Sequence, residues 1–196
     1  MSSAASSQQQ KPNALWTIIQ IANPYFVALA MGLPIMALVF AMNRGDLLPV
    51  NYVHIMTGAL WTGIDLFMGI VLGPVLAGVD PGARATVFKR LTPKLTFFMP
   101  VLAAVSTTAG INLAMRMGMF SLDNPKILYS LIIVFILTFQ GFGILLPNEI
   151  RILKELLSDK PNIERIGKIG LRNARLGGMQ GLLQLSIIFV MAVIRF

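Results

Sequence analysis

The sequence predicts an all-α integral membrane protein: a bundle of about five transmembrane helices, with an amphipathic cytoplasmic helical segment before the last span. Three observations predict it. Hydrophobic residues make up 56% of the 196 positions and charged residues 12%, against roughly 45–50% and about 25% in soluble domains. Mean hydropathy is +0.74. Apolar stretches near the roughly 20 residues that cross a bilayer recur along the chain, separated by basic or turn-rich segments.

The same composition excludes several chemistries. There is no cysteine, hence no disulfide framework, no thiolate metal site and no cysteine nucleophile. A single histidine removes any site that needs two imidazole ligands from one chain. The pI near 10.3 is of a kind that often marks nucleic-acid binding. In so apolar a chain it is read instead as the Lys/Arg excess of cytoplasmic loops, with no nucleic-acid partner.

In chain order, residues 1–13 are rich in Ser and Gln and read as a flexible polar tail. They lack the charged start and cleavage site of a secretory signal. Residues 14–196 read as one membrane domain. The first span is expected at 22–42, with Asn23-Pro24 and Pro34 imposing a kink or a separate lead-in helix. The second is expected at 50–76, the third at 95–115, the fourth at 127–146 and the fifth at 178–194. Between the last two, residues 147–177 read as amphipathic surface helices under the bilayer, broken at Pro161-Asn162. Gly167, Gly170, Gly177 and Gly178 in this region follow no strand and precede no Gly-Lys-Ser/Thr, so they make no phosphate loop.

Loop charge sets the expected orientation. Lys11, the 2–3 loop and the 4–5 loop hold twelve basic residues, while Arg44, Arg116, Lys126 and Arg195 fall on the other side. The positive-inside rule then puts the N-terminus in the cytoplasm and the C-terminus outside, in a bacterial inner (cytoplasmic) membrane, with anionic lipid facing the basic loops. Tyr52 and Tyr129 fall at the outer interface and Trp16 at the inner one.

Candidate chemistry concentrates on span two. An ionisable group inside a bilayer costs about 2.5–3.5 kcal/mol on insertion scales, so it asks for a reason. His54, Gly58, Trp61 and Asp65 form one helical stripe, with His54 near the outer surface and Asp65 about 16 Å deeper. Asp65 reads either as a structural interhelical hydrogen bond or as part of a proton or ion path with Gln140 and Asn112. Thr107, Thr108 and Gln184 are further pairing candidates. The second signal is methionine. Met56 lies beside His54, and Met115, Met117 and Met119 form a run where span three exits. Thioether and imidazole together suit Cu(I) or a His/Met haem iron, while methionine is also an adaptable packing residue. The metal candidates are His54, Met56, Met115 and Met119. If the helix continues through the run, Met117 points away from Met115 and Met119. Gly69 and Gly73 make a small-xxx-small pair for a helix of this chain or of a second copy.

Residues 54–63 read HIMTGALWTG, followed by Pro74. This H-x3-G-x2-W-x-G pattern resembles the opening helix of a group of bacterial multi-span membrane proteins. The group comprises the copper-resistance protein D superfamily, the urate oxidase N-terminal membrane domain and HemJ-type protoporphyrinogen oxidases. FKRLTPK from Phe88, Met99-Pro100, Gly110 and Arg172-Asn-Ala-Arg175 are similar in order to elements there. The resemblance spans roughly residues 50–195. It implies a helical bundle with the span-two histidine facing inward, associated with b-type haem in some relatives and copper in others. His54 carries over by motif; Met115, Trp61 and Gly58 complete the expected cofactor pocket. This chain departs from relatives that hold further histidines, which excludes a bis-His haem within one subunit.

Three functions compete on these grounds. The first is a membrane redox or metal-handling protein, an electron-transfer component with b-type haem or copper at His54. The second is a non-enzymatic anchoring subunit of a larger membrane complex, or a homodimer. The third is a small proton-coupled transporter using Asp65.

Overall fold

The computed structural model describes residues 13–195, with side chains to Val193; residues 1–12, where the expected polar tail falls, lie outside the described residues, as do the side chains of Lys11 and Arg195. Among the described residues, seven α-helices and two π-helical turns build five long rods, each apolar and long enough to cross a membrane, and one short helix precedes them. The protein is an all-α, multi-pass membrane bundle.

α1 (Ala14–Ala22) is the lead-in helix expected before Asn23-Pro24. Asn23 takes φ 75°, a left-handed conformation that asparagine tolerates better than most residues. Its side chain caps the next helix by accepting from the Tyr25 and Phe26 amides. α2 (Pro24–Met42) is the first span and carries Pro34 inside it. The second rod comprises α3 (Leu47–Leu66), a π turn (Phe67–Leu72) and α4 (Gly73–Ala77). α5 (Pro81–Arg116) is the third span and the longest helix, opened by Asp80, which accepts from Gly82 and Ala83. The fourth rod is α6 (Pro125–Gln140), a π turn (Gly141–Leu145) and α7 (Leu146–Leu156). α8 (Ile163–Arg195) is the fifth.

Four rods overrun the spans read from hydropathy. The expected 50–76 is Leu47–Ala77, 95–115 is Pro81–Arg116, 127–146 is Pro125–Leu156, and 178–194 begins at Ile163. Hydropathy marks where a helix is greasy, but the backbone ladder continues wherever one face stays buried. Segment 147–177 is corrected for this reason. It is not a pair of separate surface helices: its first part extends span four and its last part begins span five, with the turn at 157–162. The amphipathic face is real, but it packs on the bundle. Ile152 of α7 is buried with Met68, Leu76, Phe88, Ile166 and Leu171.

The break at Pro161-Asn162 falls where expected. Asn162 caps α8 by accepting from the Arg165 amide, and Glu155 ties the turn by accepting from the Asn162 amide and pairing with Arg165 at 3.3 Å.

Each π turn ends two residues before a proline, Pro74 in one rod and Pro147 in the other. A proline ring inside a helix has no N–H and crowds the carbonyl four residues back. One extra residue in the preceding turn accommodates it: the Gly73 amide reaches back five residues to Met68, and the Leu146 amide to Gly141.

Charged side chains close several exposed helix ends. Arg84 donates to the carbonyls of Leu76, Ala77 and Val79; Arg116 donates to those of Met42 and Arg44; Lys126 donates to that of Val193. A cation at a helix C-terminus both satisfies orphan carbonyls and complements the macrodipole.

At the basic end and through the middle, glycines bring the rods together. A Cβ on Gly178 would lie 2.7 Å from the Gly69 Cα, one on Gly181 would lie 2.8 Å from the Leu66 side chain, and one on Gly170 would strike the Phe88 ring. The Gly69 face thus packs on α8 of the same chain.

Candidate functional site

α6 leans on α8, while it reaches α3 and α5 through long side chains, Ile133 and Leu137 against Trp61 and Leu102. Beyond that contact, toward the end away from the basic loops, the rods stand apart. They leave a largely apolar cavity of about 710 Å³ between α3, α5, α6 and α8. This far cavity is within the range of ligand pockets.

His54 lines it. Its ring lies against α5, where Gly110 leaves room: a Cβ there would come within 2.7 Å of the His54 Cε1. The Nδ1 is 2.8 Å from the Ser106 carbonyl oxygen. A carbonyl only accepts, so Nδ1 carries the proton and donates. Nε2 has no hydrogen-bond partner among the described residues. This is the arrangement that orients a ligating imidazole, one nitrogen held by a carbonyl and the other free. Gly58, one turn on, faces the Ser106 hydroxyl, which a Cβ would approach to 3.1 Å. Gly58 and Trp61 both line the far cavity.

The methionines are rearranged. Met119 lines the cavity with His54, but Met115 and Met56 do not; they are 60% and 42% exposed on the outer surface of the bundle. Met117, expected to point elsewhere, lines the cavity as well. The cause is local. α5 stops at Arg116, Gly118 takes φ 66°, and the chain turns back over the cavity. A helical projection through residues 115–119 therefore assigns faces to a helix that has ended. Met191 of α8 joins the lining from the far side.

Asp65 is buried, at 4% exposure, and its Oδ2 accepts from the Gln184 amide at 3.0 Å. Of the pairing candidates, Gln184 is the partner. Gln140 instead donates to the Leu176 carbonyl and ties α6 to α8. Asn112 lines neither cavity described here, and its buried Oδ1 has no partner. The expected route Asp65–Gln140–Asn112 is thus not assembled: Gln140 is engaged by the Leu176 carbonyl and Asn112 lines neither cavity.

A second cavity, of about 280 Å³, lies deeper, toward the basic end. Trp61, Thr107 and Leu137 line both cavities and form the layer between them. The Gln184–Asp65 hydrogen bond crosses this layer, since Gln184 faces the far cavity and Asp65 the inner one. Met99, Pro100, Thr108 and Thr138 add to the inner lining, together with Glu149, Asn173 and Gln180.

Sequence reading missed Glu149 and Gln180 as site residues. The signal was present: Asn173, Gly177, Gln180 and Gln184 repeat along α8 at the spacing of His54, Gly58, Trp61 and Asp65 along α3. The two stripes meet at Asp65. A Cβ on Gly177 would sit 3.2 Å from Asp65 Oδ1, and Gln184, two steps further along α8, reaches Asp65 Oδ2.

Below the inner cavity, Asn148 organises a polar knot at the basic end. It donates to Asn173 at 2.8 Å and accepts from Arg151 and Arg172, both at 2.9 Å, while Asn173 donates to the Leu145 carbonyl. Buried amides survive in such a core when their hydrogen bonds are made internally.

Among the described residues no group of three or more His, Asp or Glu side chains gathers to hold a metal. Thioethers and a lone imidazole remain the available soft ligands. No family model, curated protein or solved structure matches this chain.

Proposed function

We propose that this chain is a membrane redox or metal-handling protein that holds one b-type haem or copper in the far cavity, with His54 as the imidazole ligand. One observation carries the reading. His54 lines the same cavity as Met117 and Met119, and its Nδ1 is tied to the Ser106 carbonyl while its Nε2 has no hydrogen-bond partner among the described residues.

The residues fit either group. Imidazole and thioether are suitable donors for Cu(I) and for haem iron. A volume of about 710 Å³ with mainly apolar walls exceeds what a lone ion requires and favours the haem of the two. Bound there, the group would supply one-electron transfer. The protein's own contribution is positional. Ser106 fixes the tautomer and Gly110 fixes the depth of the ring. Gly58 keeps the wall thin, and Trp61 and Leu137 close the floor. This agrees with the resemblance of HIMTGALWTG to the copper-resistance D and HemJ-type group. In the orientation set by loop charge, the far cavity opens toward the outer face and the basic knot lies against cytoplasmic anionic lipid.

A reduced-minus-oxidised optical spectrum and a metal count on detergent-purified protein test the reading. A Soret band or stoichiometric copper that is lost in His54→Ala supports it. Neither signal, in a monodisperse and helical preparation, overturns it.

A further inference from the structure

The inner cavity holds two carboxyl side chains, Asp65 and Glu149, and no lysine, arginine or histidine lines it. Among the described residues the one ion pair is Arg165–Glu155, at the turn outside the bundle, so neither acid has a cationic partner. The guanidinium groups of Arg151 and Arg172 are engaged by the Asn148 side-chain oxygen. Lys94 is also engaged elsewhere, donating to the Ala22 carbonyl with its ammonium over the Phe26 ring.

A second, independent observation points the same way. Gln180 is 3% exposed, lines this cavity, and its Oε1 has no hydrogen-bond partner. Its Nε2 is turned to the Leu137 carbonyl, which leaves the oxygen as the unused end. On α8 it lies between Gly177, which touches Asp65, and Gln184, which donates to Asp65. Buried acceptors without donors are costly. Asp65 already accepts from Gln184, but neither acid meets a positive charge, and the Gln180 oxygen meets no donor at all.

The rest of the wall describes that donor's body. Met68, Leu95, Met99, Leu137 and Leu146 are apolar, and Trp61 and Phe142 present aromatic rings. A cavity of about 280 Å³ is far larger than one water, whose share of liquid volume is about 30 Å³. Aromatic faces attract cations through the ring quadrupole. Both π turns border this space, through Met68 in one rod and Gly141, Phe142 and Leu145 in the other, and such turns are frequent at functional sites.

We propose that the inner cavity binds a compact organic ammonium ion, its nitrogen held by Asp65, Glu149 and the Gln180 carbonyl oxygen and its apolar body lodged against Trp61 and Phe142. The site shares the Trp61 wall with the far cavity but does not require the metal proposed at His54.

Trp61 supplies the readout. In a Trp16→Phe background it is the remaining tryptophan. The purified full-length protein is titrated with cyclohexylammonium chloride, and in parallel with cyclohexanol, cyclohexanecarboxylate and sodium chloride. The expected result is a saturable change in Trp61 emission with the ammonium alone, at least tenfold weaker in Asp65→Asn and in Glu149→Gln. Equal saturation by cyclohexanol or by sodium chloride overturns the proposal. So does an affinity unmoved in Glu149→Gln, a variant that keeps the side-chain shape and serves if Asp65→Asn fails to fold. A protein of wild-type melting temperature that responds to none of the probes also overturns it. The metal count on the same preparation reports separately on His54, so failure of either reading is visible without the other.

Discussion

The two ends of the bundle are packed by opposite means. Toward the basic end, backbones touch: Gly69 meets Gly178, Gly170 receives Phe88, and Asn148 knots three polar side chains together. Toward the far end, α6 is held off α3 and α5 by Ile133, Leu137, Trp61 and Leu102, and the space above them is the His54 cavity. In lipid, apolar burial gives helices little reason to associate; close van der Waals packing and internal hydrogen bonds do so instead. The glycine half therefore holds the bundle together, and the splayed half is free to enclose something. Asp65 lies at the boundary, where its hydrogen bond with Gln184 joins the two.

Gly178→Leu attacks the closed half and carries the largest expected effect. Its side chain would have to displace the α3 rod's backbone, at a cost of about 3 kcal/mol or more. Thermal unfolding in detergent should show a large loss of folded protein. Gly32→Leu on α2, where a new Cβ meets nothing within 4 Å, should melt like the wild type. Equal behaviour of the two would remove the distinction between the halves.

In the open half, Gly110→Leu pushes the His54 ring off α5 and separates it from Ser106. Loss of such an orienting contact typically weakens metal affinity about 10–100-fold. Metal or haem occupancy should fall accordingly while the melting temperature moves little. A full complement of metal in this variant would argue against His54 as the ligand.

At the boundary, Gln184→Leu leaves Asp65 buried without its donor, which should cost about 1–3 kcal/mol. Thermal unfolding would register it. A neutral result would mean that water or another group already serves Asp65. The smallest effect separates the methionines. Met119→Leu should shift the spectrum or potential of a group bound at His54, and Met115→Leu, on the outer surface, should leave both unchanged. A shift with Met115 alone would reverse the assignment.

Much of this was legible in sequence. Composition and repeated apolar stretches give five helices, and Asn23-Pro24 and Pro161-Asn162 mark real helix starts because proline and asparagine act locally. The stripe of His54, Gly58, Trp61 and Asp65 is likewise a local consequence of helical period. The α8 stripe of Asn173, Gly177, Gln180 and Gln184 escaped notice for a definite reason. A hydropathy boundary at 178 cuts it in two, although the helix runs unbroken from Ile163. Glu149 was placed in a surface segment by the same kind of boundary. Met115 and Met119 were given one face because the end of α5 at Arg116 depends on the turn at Gly118, not on hydropathy.

The sequence by itself determined the helices, their number and the side on which the basic residues collect, because these follow from backbone hydrogen bonding, bilayer length and charge, which act over a few turns of chain. Tertiary structure decided which polar groups meet. Gln184 rather than Gln140 or Asn112 reaches Asp65, and Met119 rather than Met115 shares a cavity with His54. Those pairings depend on how closely two rods approach and how they are rotated. Glycines more than a hundred residues apart in the chain set both.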